Sequence, residues 1–160
     1  MSRSDTAPIV EERLFYDVAV RWTGAQCAAA GGSELPEITV ALPAQLSEPA
    51  AHWTPEHLFV AAATSCLMAV FVRLAAAARL DYVDLSVQAR GILEELATEG
   101  LIISTLELSP TLILFRESDR ERAARLLSKA ERHCVVSNSM RTRILVRPEI
   151  RVAPSVANLH

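Results

Sequence analysis

Cysteine, glycine and aromatic residues are all scarce in this chain of 160 residues, which has three cysteines, five glycines and 5% aromatic residues. The low glycine and proline content excludes a collagen-like or low-complexity chain. Three cysteines are too few, and an odd number, for a disulfide framework, so we expect reduced thiols. Because 51% of the residues are hydrophobic and 22% are charged, the chain should fold as one globular domain with its own core.

A basic surface and an export signal are also missing. The formal net charge of -3 gives no field that attracts phosphate backbones, so we expect no nucleic-acid partner. Residues 1–8 lack the apolar core of a secretory signal, which predicts a cytoplasmic protein. The apolar run 58–80 has the length of a membrane span, but its eight alanines make it only weakly apolar. A buried core helix, without a membrane partner, is the better interpretation.

The first part of the chain predicts a flexible arm over residues 1–8, followed by a single domain over 9–151. Residues 14–22 and 37–42 have the β-branched and aromatic composition of strands. Between them, Thr23 to Gln26 and Gly31 to Ser33 read as turns.

A long helix is predicted to begin at Thr54-Pro55-Glu56, which supplies an N-cap hydroxyl, a proline at the first helical position and an acid in the first turn. It should end near Arg79. Its apolar residues occupy nearly every face, as in a helix that is enclosed on all sides. Since one domain of this size does not cover such a helix alone, we expect a homodimer that shares it.

The second half predicts two strands, a helix and a last strand. Residues 83–90 alternate between apolar and polar side chains and should form a hairpin with 102–115. Ser118 to Glu121 has capping-box spacing and should start an amphipathic helix that ends at His133. After a polar turn at 137–139, residues 142–150 should form the final strand, before a tail over 152–160. This order predicts an α+β fold with mainly antiparallel sheets around the long buried helix.

Cys66 and Cys134 are the candidate reactive groups. A thiol becomes nucleophilic as a thiolate, which needs a positive charge, a helix N-terminus or hydrogen-bond donors nearby. Glu56 is ten residues before Cys66, about 15 Å along a straight helix, so the two do not touch within one helix. Either the helix breaks between them, or the relevant Glu56 belongs to the partner subunit. A purely structural alternative has Cys66 as a small core residue and Glu56 as a helix cap.

The sequence resembles the OsmC/Ohr family of thiol peroxidases. The resemblance rests on Pro55-Glu56-His57-Leu58-Phe59-Val60-Ala61-Ala62 followed by Cys66, and on Cys134-Val135-Val136-Ser137-Asn138-Ser139 further on. It covers the chain from about Tyr16 to Arg151. It implies an intertwined homodimer with two sites at its interface, which reduces organic hydroperoxides or hydrogen peroxide without a metal or another cofactor. A dithiol would regenerate the enzyme.

The resemblance also implies a role for each matched residue. Cys66 corresponds to the peroxidatic cysteine, which is oxidised to a sulfenic acid, and Cys134 to the resolving cysteine, which then closes a disulfide. Glu56 corresponds to the acid that orients an activating arginine. Gln26 stands where one branch of the family has that arginine, and no arginine or lysine occurs between Gln26 and Glu56. Arg21 is the nearest upstream candidate for the missing charge.

Other residues give weaker signals. Arg73 lies about two helical turns beyond Cys66 and is a second candidate charge. Cys27, predicted in a turn, is interpreted as incidental, and His133 as a residue at a helix C-terminus.

Two alternative functions remain open. A zinc or iron site from Cys66, Cys134, His133 and Glu56 lacks the close-spaced ligand pair that most such sites use. A non-peroxidatic dimer that binds a hydrophobic small molecule at its interface is favoured by the missing arginine.

Overall fold

The computed structural model describes residues 14–32, 34–42 and 52–154. The chain divides into two compact units, Met1–Thr54 and Pro55–His160. The predicted arm over 1–8 lies outside the described residues, and so does the end of the predicted tail beyond 154.

The first unit contains a three-stranded antiparallel sheet in the order β1-β2-β3. Its strands are β1 (Ala19–Gly24), β2 (Cys27–Gly32) and β3 (Leu35–Ala41). Strand β2 was not predicted, because its sequence of alanines and glycines has low strand propensity. The prediction that Cys27 lies in a turn is wrong: it is the first residue of β2 and pairs with Ala41 of β3.

The turn between β1 and β2 consists of Ala25 and Gln26. Ala25 has a φ of 46°, a left-handed conformation that is unfavourable for a residue with a Cβ atom. The Trp22 indole N–H donates to the Ala25 carbonyl at 3.0 Å. The Leu42 backbone N–H donates to the Gln26 carbonyl at 2.7 Å. These bonds fasten the turn to both neighbouring strands of the first unit.

The second unit begins with α1 (Pro55–Ala77), which starts at the predicted proline and ends two residues before Arg79. Arg79 has a φ of 51°. The Arg79 N–H bonds the Ala76 carbonyl, and the Leu80 N–H bonds the Ala75 carbonyl. These two bonds form a Schellman motif, in which a left-handed residue satisfies the last carbonyls of a helix.

A long antiparallel hairpin follows, as predicted. Strand β4 (Tyr82–Leu96) pairs along its length with β5 (Gly100–Leu114). The inward side of β5 carries the fully buried leucines Leu106, Leu108, Leu112 and Leu114, because alternate residues of a strand face the same side.

The last elements are α2 (Arg120–Arg132), the single turn α3 (Val135–Asn138), β6 (Arg143–Val146) and β7 (Glu149–Val152). The polar turn predicted at 137–139 is therefore partly helical. The predicted final strand is two short strands, which Pro148 separates. Both pair in parallel with β5, on the edge opposite β4.

The predicted capping box at Ser118 is wrong. Asp119 is the N-cap residue of α2, and its side chain makes no capping hydrogen bond. Its carboxylate instead pairs with Arg116 and Arg122, at 3.4 and 3.1 Å. Ion pairs of Asp119 with two arginines thus replace the capping hydrogen bond that the spacing of Ser118 and Glu121 predicted.

The core of the second unit lies between α1, β5 and α2. It contains one side of α1, the β5 leucines and one side of α2, including Ala63, Leu67, Val70, Phe71, Ala75, Ala123, Leu127 and Ala130. The predicted α+β class is therefore confirmed.

By length and composition α1 is apolar enough to cross a membrane, but its buried side makes it the core helix of this unit. Within one chain, residues of α1 such as Ala69, Val72 and Ala76 are exposed, and their enclosure by a second subunit stays a prediction.

Candidate active site

Helix α1 holds Cys66 at the boundary between its buried and exposed sides. The cysteine follows buried Ala63 by one turn and precedes buried Leu67, and its own side chain is half-buried. The neighbouring hydroxyls of Thr64 and Ser65 donate to the carbonyls of Val60 and Ala61, each at 2.7 Å. These hydroxyls are therefore bonded to the helix rather than to the Cys66 sulfur.

Cys134 lies between α2 and α3, where it is the N-cap residue of α3. Its side chain is only 1% exposed. The Cys134 Sγ lies 4.0 Å from the Ala63 carbonyl oxygen of α1 and 3.1 Å from the Ser137 Oγ. The contact with Ala63 brings this cysteine to the part of α1 that carries Cys66.

The two cysteines, 68 residues apart in sequence, are neighbours in the structure. Both are free thiols. Burial raises the pKa of the Cys66 thiol, and a hydrogen bond with the Cys134 side chain raises this pKa further. The backbone N–H groups of Val136 and Val135 act in the opposite direction, because they stabilise the thiolate. The net effect is a raised pKa, which favours the neutral thiol.

A positive charge is not among the groups that perturb Cys66 within residues 55–154. Arg73, seven residues further along α1, has an exposed side chain. Arg21 lies in the first unit, where it pairs with Glu37 at 3.5 Å, and both side chains are 67% exposed. The contacts that each arginine makes within its own unit therefore do not bring it to the Cys66 sulfur.

Glu56 does not meet Cys66 within the chain. Helix α1 is continuous from Pro55 to Ala77, so ten residues separate the two by about 15 Å. This excludes the break in the helix that the sequence left open. The Glu56 side chain is half-buried at the start of α1, and contact with Cys66 therefore requires a second subunit.

The other candidates are exposed or lie in the first unit. His133, directly before Cys134, is the exposed C-cap residue of α2. Gln26 lies in the turn between β1 and β2, and Cys27 is the first residue of β2. Among the residues described, no three His, Cys, Asp or Glu side chains come together in a way that suits a metal ion. With Glu56 so distant from Cys66, the four-residue metal site considered from the sequence does not form within one chain.

A groove of about 570 Å³ opens beside the far end of the hairpin. Phe59, Ile103 and Met140 form apolar parts of its lining, and Arg141 and Arg143 add positive charge. Neither Cys66 nor Cys134 is among the lining residues.

The sequence identified both cysteines but not the groups that surround them. It missed the N–H groups of Val135 and Val136 and the hydroxyl of Ser137, because α3 is too short to leave a periodic signal. The available signal was local: Cys134 precedes a short segment that ends with Ser137-Asn138, residue types that favour turns and helix ends.

Comparison with known proteins agrees with this architecture. A family model described as OsmC-like protein matches residues 48–149. A search of curated proteins finds no significant match.

Solved structures share the fold at low sequence identity. An OsmC-like protein of unknown function from Vibrio cholerae has 21% identity and a TM-score of 0.75, with 85% of this chain and 99% of that chain covered. An organic hydroperoxide resistance protein from Elizabethkingia anophelis, solved with thiocyanate bound, has 21% identity and a TM-score of 0.67, with 89% and 100% covered. The organic hydroperoxide resistance protein OhrB of Bacillus subtilis has 19% identity and a TM-score of 0.60, with 86% and 98% covered.

Proposed function

The chain belongs to the OsmC-like protein family, and we propose that it reduces organic hydroperoxides, or hydrogen peroxide, with Cys66 as the nucleophile. The observation that carries the proposal is the pairing of Cys66 with Cys134 across 68 residues of sequence. Two relatives of the same fold are named for organic hydroperoxide resistance. A partly exposed thiol with a second thiol beside it is the arrangement that a sulfenic acid and its resolving thiol require.

The proposed reaction has two steps. The Cys66 thiolate attacks the outer peroxide oxygen, the O–O bond breaks, the alcohol leaves, and Cys66 becomes a sulfenic acid. Cys134 then attacks the Cys66 sulfur, so that an S–S bond forms and water is released. An external dithiol returns both cysteines to thiols. Apart from the peroxide and the external dithiol, the two cysteines are the reacting groups of this cycle, and the proposal includes no metal or other cofactor.

The proposal also includes a cytoplasmic homodimer. A second copy would cover the exposed side of α1 and would allow Glu56 of one subunit to approach Cys66 of the other, which one chain does not permit. Arg21 is the proposed activating charge. Substitution of Arg21 by Gln should slow oxidation of Cys66, whereas Arg73→Gln should leave the rate unchanged.

A stopped-flow reaction of the reduced protein with an alkyl hydroperoxide tests the activity. Rapid oxidation should be lost in Cys66→Ser. It should persist in Cys134→Ser, where a trapping reagent detects sulfenic acid at Cys66. Cys27→Ser is the matched control and should react like the unmodified protein. Oxidation of Cys66 no faster than that of a free thiol in solution would contradict the proposal.

A second function is favoured by the raised pKa of Cys66 and by the absence of a guanidinium among the groups that perturb it within residues 55–154. In this case the dimer binds a hydrophobic small molecule at its interface and the thiols react slowly. Slow oxidation, together with saturable binding of an apolar fluorescent probe to the dimer, would support this alternative.

A further inference from the structure

The environment of Cys134 differs from that of Cys66 in one respect that the proposed cycle does not use. Besides the Cys66 thiol, the Cys134 Sγ has two oxygen neighbours, the Ala63 carbonyl oxygen at 4.0 Å and the Ser137 Oγ at 3.1 Å. While Cys134 is a thiol, its S–H can donate to either oxygen. Once it is a thiolate it can only accept. The carbonyl then offers it no hydrogen bond, and the Ser137 hydroxyl becomes its donor.

The position of Ser137 follows from the geometry of α3. Cys134 is the N-cap residue of this helix, so Ser137 is its third helical residue. In a capping box each of these two residues directs its side chain to the backbone N–H of the other, so both side chains lie on the same side of the first turn. Ser139, two residues further on, is directed differently: its hydroxyl donates to the Val135 carbonyl at 2.8 Å and its side chain is exposed.

We propose that Ser137 is the residue that positions Cys134 for attack on Cys66. Its hydroxyl donates to the Cys134 sulfur as the thiolate forms and holds that sulfur toward Cys66. The role of Ser137 in the peroxide reaction rests on the proposed function of Cys66 and Cys134. Cys134 loses its proton to solvent, its sulfur attacks the Cys66 sulfur, the S–S bond forms, and the S–O bond of the sulfenic acid breaks. The hydroxide that leaves takes up a proton and becomes water.

An aromatic disulfide with a coloured thiolate product tests this role without peroxide. The Cys66 thiolate first displaces one coloured thiolate and forms a mixed disulfide. Cys134 then attacks the Cys66 sulfur, releases the second coloured thiolate and closes the protein disulfide. The first release reports on Cys66, and the second reports on Cys134. The two rates are therefore measured in one experiment on the full-length protein, with every variant made in the Cys27→Ser background because Cys27 is a third free thiol that would also react.

Ser137→Ala should slow the second release by about ten- to a hundredfold, as expected for loss of a hydrogen bond to a charged group. The first release should keep its rate. Ser137→Thr retains the hydroxyl and should restore much of the second rate. Ser139→Ala is the matched control, because it removes a hydroxyl from the same helical turn without touching the sulfur, and it should behave like the unmodified protein.

Three outcomes would overturn the proposal: an unchanged second release in Ser137→Ala, an equal loss in Ser139→Ala, or a loss that Ser137→Thr does not restore. A parallel reaction with alkyl hydroperoxide separates this inference from the proposed function. If peroxide does not oxidise Cys66 but Ser137→Ala still slows the second release, the peroxidase proposal fails and the role of Ser137 stands.

Discussion

Two opposing influences act on the Cys66 sulfur. The backbone N–H groups of Val135 and Val136 stabilise its thiolate, while burial and the Cys134 thiol stabilise the neutral form. The net pKa is raised, so burial together with the neighbouring thiol outweighs two backbone donors. If the protein is a peroxidase, a positive charge near Cys66, from Arg21 or from a second subunit, would lower this pKa and so control the rate at which Cys66 reacts.

The raised pKa of Cys66 predicts a specific pH dependence. Since only the thiolate reacts, the rate of Cys66 alkylation in Cys27→Ser should increase about tenfold per pH unit through neutral pH, and should level off only above the ordinary thiol range. Cys134→Ser removes one group that raises this pKa, so the profile should move to lower pH. The rate is measured with iodoacetamide and mass spectrometry of the Cys66 peptide.

An alkylation rate of Cys66 that reaches its plateau below neutral pH would contradict the raised pKa. It would show that a positive charge near the sulfur stabilises the thiolate more than burial destabilises it. Arg21→Gln in the same background should then restore the steep profile.

At the level of single residues, the sequence predicted Cys66 and Cys134 as a pair, because family resemblance attaches to residue identity, and the structure places them as neighbours. Their catalytic roles stay a prediction. The sequence was not sufficient to place Ser137 against the Cys134 sulfur. That contact depends on where α3 begins, and a helix of one turn has no periodicity from which its start can be predicted. For the activating charge the sequence offered two candidates, Arg21 and Arg73, and could not decide between them, since a charge can come from any part of the fold.

Among the elements, the crossing of α1 over β4 depends on a glycine. A Cβ atom added to Gly91 would lie 2.9 Å from the Val60 Cγ2 of α1, and 3.4 Å from the Leu106 Cδ2. Such a separation is shorter than carbon atoms tolerate, so the helix can approach the strand this closely only because position 91 has no side chain.

Gly91→Ala should therefore destabilise the protein by about 1–3 kcal/mol, as overpacking of a close contact does. Val60→Ala removes the group that would clash. In the double variant the loss should be smaller than the sum of the two single losses, and urea unfolding of all four proteins measures this coupling. Strict additivity would show that Val60 is not the residue that limits the approach.

The elements that the sequence predicted well are those with long patterns. The hairpin of β4 and β5 alternates over many residues, and α1 has both a proline start and a long, mainly apolar run. Strand β2 was missed because its alanines and glycines have little strand preference. They form a strand because β2 pairs with β1 on one side and with β3 on the other. The parallel pairing of β6 and β7 with β5 could not be predicted, since it depends on where α2 and α3 return the chain.

At the scale of the whole molecule, α1 has an apolar surface that the single chain leaves exposed. Its inner side packs into the core, but Ala69, Val72 and Ala76 on its outer side are exposed in the single chain. An apolar helix face of this kind is usually covered by a partner. This agrees with the proposed homodimer and with the need for a second subunit at Glu56.

Ala69→Glu should weaken the proposed dimer by at least tenfold, because it places a charge within an apolar interface. Ala124→Glu is the matched control: the same substitution on the exposed side of α2 should leave the association unchanged. Sedimentation velocity over a range of protein concentrations measures both. A monomeric unmodified protein, or equal effects of the two substitutions, would contradict the dimer across α1.

The segment between Cys66 and Cys134 contains the whole β4–β5 hairpin and α2. A bond between these sulfurs would therefore tie most of the second unit into one closed loop. It would reduce the chain entropy of the unfolded state, a stabilisation of about 4 kcal/mol for a loop of this length. The oxidised protein should melt about 10 °C higher than the reduced protein, with no such difference in Cys66→Ser. Oxidation by peroxide would thus make the fold more resistant to heat.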